Sequence, residues 1–145
     1  MYRTSIVFTL FLCACGQQPP AEPPATNVGS TNTNIADRDW TLVALGDRTA
    51  PFGPQLQPPT LRLTPADSRA IGFAGCNRYF ARYALRGDSL KFESPGATKM
   101  YCASAAELEN AFLAMLPDVV TYQAQDTVLT LTTKKGTVAR FHAKR

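Results

Sequence analysis

Residues 75–88 read GCNRYFARYALRGD. From Arg78 onward the side chains alternate. Tyr79, Ala81, Tyr83 and Leu85 fall on one face, and Arg78, Phe80, Arg82, Ala84 and Arg86 on the other. A period of two is that of a β-strand, with one face toward a core and one toward solvent. Gly87-Asp88 ends the run with turn chemistry. The tyrosine face is expected in the core. The outer face is arginine-rich and interrupted by Phe80, so Arg78, Phe80, Arg82 and Arg86 form a candidate binding face for an anionic partner, or a solvated face that keeps the strand soluble.

The same pattern continues on both sides. Strands are expected over residues 39–45, with Trp40, Leu42 and Ala44 inward, over 60–64, with Leu61 and Leu63 inward, and over 70–74. Leu90 and Phe92 alternate with Lys91 and Glu93 in a further strand, and three more are expected over 119–123, 128–133 and 137–143. Lys134-Lys135-Gly136 turns the last two into a hairpin, and residues 46–59, rich in Gly and Pro, read as a loop. One helix is expected after Cys102. Ser104 and Glu107 have capping-box spacing, and Ala105, Leu108, Phe112, Met115 and Leu116 share one apolar face until Pro117 stops it. The connections are too short for parallel crossovers. The expected fold is therefore α+β: a strongly curved, barrel-like antiparallel sheet of about eight strands, its open side plugged by one packed helix.

The N-terminus bears on where this domain works. Arg3 precedes a mostly apolar run from Ile6 to Ala14, the order of a signal peptide and too short to span a bilayer. Leu12-Cys13-Ala14-Cys15 resembles a bacterial lipobox, which implies cleavage after residue 14 and lipidation of Cys15. Gly16 after that cysteine resembles an outer-membrane sorting pattern. Residues 15–37 hold Pro19, Pro20, Pro23 and Pro24, then Gly, Ser, Thr and Asn, and read as a tether without core-forming residues. The domain is expected over 38–145, lipid-anchored in the cell envelope and facing the periplasm from the outer membrane. Loss of Arg3 with the signal leaves 14 basic and 11 acidic residues. That excess is mild and dispersed, so no nucleic-acid partner is expected.

Several stretches together resemble one family, the META/HslJ-like domain. They are Trp40-Thr41-Leu42, Pro59 to Leu63, Gly75-Cys76-Asn77-Arg78-Tyr79, Thr98-Lys99-Met100-Tyr101-Cys102 before a helix, and a closing hairpin over 129–141. The specific part is the pairing of Gly75, Cys76 and Asn77 with Thr98, Met100 and Cys102. Ala81 stands where the family usually has glycine. The resemblance implies a one-helix α+β fold and envelope proteins, often lipoproteins, linked to heat stress and novobiocin resistance. Some members look similar to a lipid-binding pilot lipoprotein for secretins, an analogy of fold.

With Cys13 removed and Cys15 lipidated, Cys76 and Cys102 remain in an oxidising compartment, where an even count favours a disulfide. Two buried free thiols are the alternative. Zinc would need about four ligands, and two cysteines with His142 are too few. A catalytic pair of Cys76 and His142 lacks an orienting third group. Asn77 reads as a left-handed turn residue. No cofactor, no metal and a monomer are expected. The functional expectation is a non-enzymatic envelope lipoprotein acting in stress tolerance through a protein or anionic-lipid partner. The alternatives are a carrier of a hydrophobic ligand in a cavity between helix and sheet, or a secretin-pilot-like lipoprotein. Less favoured is an enzyme using Cys76.

Overall fold

The computed structural model describes residues 33–144. The expected signal segment, Cys15 and the expected tether up to residue 32 lie outside the described residues. The strands are β1 (Trp40–Leu45), β2 (Arg48–Thr49), β3 (Thr60–Thr64), β4 (Arg69–Phe73), β5 (Arg78–Arg86), β6 (Ser89–Phe92), β7 (Gly96–Ala97), β8 (Val119–Gln125), β9 (Val128–Thr133) and β10 (Val138–Ala143). Helix α1 spans Ala106–Met115 and runs into a 3-10 turn at Leu116–Asp118. All strand pairs are antiparallel. The order is β10-β9-β8-β6-β5-β4-β3-β1, and β1 pairs again with β10. Eight strands thus close into a barrel, with β2 and β7 as short additions beside β1 and β5. Closure leaves the eight long strands no open side.

The helix lies over one end of that barrel instead of plugging a side. Its apolar face is the expected one: Ala105, Leu108, Phe112, Met115 and Leu116 are all buried. Phe112 meets Tyr79 of β5 and Phe141 of β10 edge-to-face, with ring centroids 5.5 and 6.3 Å apart. The same core holds Trp40, Leu42, Leu61, Leu63, Leu90, Leu129 and Leu131, each at most 1% exposed. Period-two patterning on the eight long strands therefore delivers one continuous core.

The capping box is not formed. The N-cap is Ala105, and no side chain caps the helix. The carbonyl of Cys102 accepts from the N–H groups of Ala105 and Ala106, both at 3.0 Å. Glu107 turns outward to pair with Arg48. A backbone turn thus meets the need that the Ser104 hydroxyl was expected to fill.

The opposite end is closed by residues expected in the tether. Ile35 is 1% exposed and belongs to the core. The Trp40 indole N–H donates to the Ile35 carbonyl at 2.9 Å, and the Asp37 N–H to the Leu63 carbonyl at 2.9 Å. The boundary expected at residue 38 is thus too late, because an isolated isoleucine within polar sequence seals a barrel mouth.

Three inward assignments also change, Tyr83 being only half-buried against the edge of the core. A bulge between Leu42 and Ala44 shifts the register of β1 against β10, so Leu45 is buried and Ala44 only half-buried. Leu85 is 38% exposed. Beyond Arg82 the partner β4 has ended, and β5 runs on beside β6 alone. Ala81 sits in regular register opposite Ala70 and is buried, so alanine is accommodated there without a bulge.

Candidate functional site

The motif residues converge where the β4–β5 turn meets the start of the helix. Gly75 takes φ +124°, a conformation that L side chains rarely adopt. The positive φ expected at Asn77 is therefore at Gly75, and Asn77 ends the turn just before β5 with its side chain turned inward. Asn77 is 2% exposed. Its amide oxygen accepts from the Met100 N–H at 2.7 Å and the Thr98 hydroxyl at 2.9 Å. Its amide nitrogen donates to the Met100 carbonyl at 3.0 Å and to Glu109 Oε1 at 2.7 Å. Two acceptor and two donor positions are all used, the full capacity of the group.

Glu109, in the first turns of α1, is the residue that sequence reasoning missed. Its Oε2 accepts the backbone N–H groups of Cys76 at 3.0 Å and Asn77 at 2.6 Å. A carboxylate near a helix N-terminus is also favoured by the helix dipole. Nothing marks Glu109 in the helix pattern except its polar side, and its partners are 32 and 33 residues away.

Cys76 and Cys102 are brought to disulfide-bonding distance, with Cα atoms 5.9 Å apart. The Cys76–Cys102 contact, Asn77 and Glu109 thus hold one segment, residues 98–102, against the β4–β5 turn and the helix. His142 lies elsewhere, outward on β10 between Thr41 and Val128. Trp40 is in the core, where burial and its bond to Ile35 serve packing. Tyr79 is buried as expected. Its hydroxyl donates to the Thr60 carbonyl at 2.9 Å, and burial holds it protonated far above the usual tyrosine range.

The outer face of β4 and β5 is the second feature. Arg78, Phe80, Arg82 and Arg86 are all exposed, Phe80 by 55%. Register places Arg69 opposite Arg82, Ile71 opposite Phe80, and Phe73 opposite Arg78. An apolar rung therefore sits between rungs that carry arginine. Arg69 stacks 5.9 Å from the Phe80 ring centroid and pairs with Asp67 at 3.7 Å. The Thr64 hydroxyl holds the Asp67 carboxyl below its ordinary value. Arg62 of β3 pairs with Asp39 at 3.2 Å. Among the described residues, Arg78, Arg82, Arg86 and Lys91 take part in no ion pair.

An open cleft of about 1120 Å³ lies beside this face, lined among others by Arg62, Ile71, Phe73, Arg78, Met100 and Lys144. The space between helix and barrel is filled by Leu108, Phe112 and Met115, so the cavity that an internal carrier needs is occupied by side chains.

Comparison with known proteins agrees with this picture. The model of the META domain family matches residues 33–145. A protein from Burkholderia xenovorans, solved by NMR, is similar at 26% identity and a TM-score of 0.63, over 87% of this chain and 99% of that one. Two further structures share the fold. One is an NMR structure at 22% identity and a TM-score of 0.57, over 73% of this chain and 89% of that one. The other is a crystal structure of a DUF4847 family protein from Bacteroides vulgatus, at 16% identity and a TM-score of 0.53, over 75% of this chain and 94% of that one. No curated protein matches the chain in sequence.

Proposed function

The chain belongs to the META domain family, and from that premise we propose that it is a non-enzymatic lipoprotein of the bacterial envelope whose barrel docks on an anionic surface. The observation that carries this reading is the outer face of β4 and β5, where the Ile71/Phe80 rung lies between Arg69/Arg82 and Phe73/Arg78. A rigid ladder with exposed guanidiniums and one aromatic suits phosphate-bearing groups above an apolar layer. The placement of Cys76 favours a structural role: its N–H is bound by Glu109 and its sulfur faces Cys102. The lipobox supports a tether through Cys15, and the stress-tolerance role implied by the family resemblance belongs to the same proposal.

The test compares the domain, residues 33–145, with an Arg78→Glu/Arg82→Glu/Arg86→Glu form. All the packing described lies within 33–144, and the solved relatives are covered almost end to end, so this segment is a folding unit. The parent is expected to sediment with vesicles of phosphatidylglycerol and phosphatidylcholine, less so as salt rises. The reversed form should lose most of that binding, and the full-length chain carrying the same three substitutions should, in cells lacking the protein, fail to restore the survival of heat or novobiocin that the parent chain restores. Equal, salt-independent binding by both forms would sink the reading.

A further inference from the structure

Met100 and Tyr101 are 66% and 88% exposed, the most exposed large apolar side chains among the described residues. Single apolar residues at a surface need no explanation. These two differ because their backbone is held. The Met100 N–H and carbonyl are both bonded to the Asn77 amide, and Cys102 follows directly at the disulfide. The pair therefore projects from a fixed backbone, and little chain ordering remains to be lost on contact.

The surroundings are cationic. Met100 borders the cleft that also holds Arg78 and Lys144, and a second cleft of about 560 Å³ on the other side is lined by Lys99, Met100 and Tyr101. Among the described residues Arg78, Lys99 and Lys144 take part in no ion pair. The nearby acids are engaged, Glu109 with Cys76 and Asn77, and Asp39 with Arg62.

We propose that Met100-Tyr101 is a membrane-insertion tip: the two side chains enter the boundary between headgroups and acyl chains of an anionic bilayer, while Arg78, Lys99 and Lys144 meet its phosphates. This rests on the reading of the outer face as a contact for an anionic surface, and adds the residues that penetrate it. Two side chains are far less than a stable protein interface needs, about 800 Å² on each partner. They are enough to anchor a surface already attracted by charge. A tyrosine with its ring in the apolar layer and its hydroxyl in the wet one suits that boundary.

The experiment uses residues 33–145 carrying Tyr101→Trp. Trp40, the only native tryptophan, is fully buried and supplies a constant background. On vesicles of phosphatidylglycerol and phosphatidylcholine the emission is expected to move to the blue. On phosphatidylcholine alone it should not. Met100→Ser/Tyr101→Ser should weaken binding about tenfold while melting like the parent, since both side chains are exposed. If the domain sediments with anionic vesicles but the emission stays put, the tip is overturned and the arginine face stands. If it binds no vesicles, the docking reading falls and the tip with it. An equal shift on neutral vesicles would overturn the cationic ring, and a shift caused only by an envelope protein would make the tip a protein contact.

Discussion

Asn77 shows how one buried amide can hold three pieces of chain. It links the β4–β5 turn to residues 98–100 and to the helix through Glu109. Removing the carboxylate leaves the N–H groups of Cys76 and Asn77 without their acceptor. Glu109→Ala is therefore expected to cost about 2–3 kcal/mol in urea unfolding. Glu109→Gln should recover only part of that, because its amide oxygen can serve the two N–H groups while its NH₂ group confronts the NH₂ of Asn77. An alanine variant as stable as the parent would show that water replaces the carboxylate. In the sequence Asn77 is visible as a motif residue, but its role is not. A hydrogen-bonded amide and a turn-forming asparagine look alike until the partners are in place.

Among elements, the eight barrel strands were legible because alternation is a local property with a period of two. What broke the pattern was the behaviour of neighbours. The β1 bulge buries Leu45 where Ala44 was expected, and the loss of β4 exposes Leu85. The two-residue strands β2 and β7 carry no periodicity to read. Gly72 belongs to this scale as well. A Cβ there would overlap the Thr60 carbonyl and come within 2.9 Å of the Tyr79 ring, at the place where β3 leaves β4. Gly72→Ala should therefore destabilise the domain by about 2 kcal/mol, read as a lower urea midpoint with unchanged slope. An unchanged midpoint would mean that β3 yields there at little cost.

For the whole molecule, the Cys76–Cys102 link joins residues 26 apart. Closing such a loop is worth about 3.5 kcal/mol in the chain-entropy account, a large part of a small domain's stability. The native domain is expected to take up no alkyl group without reductant, and reduction should lower its melting temperature clearly. Uptake of two groups by the unreduced domain would refute the bond and reopen the free-thiol reading. The sequence alone determined the class of fold, the inward face of most strands and the apolar face of the helix, because patterning is set by neighbours along the chain. The family motif was legible for the same reason. Only the tertiary structure decided that the sheet closes through β1 and β10, that the helix and Ile35 seal opposite ends, and that Glu109 and Asn77 fasten an exposed Met100-Tyr101 pair. Those outcomes depend on bonds between residues far apart in the chain, for which local pattern carries no signal.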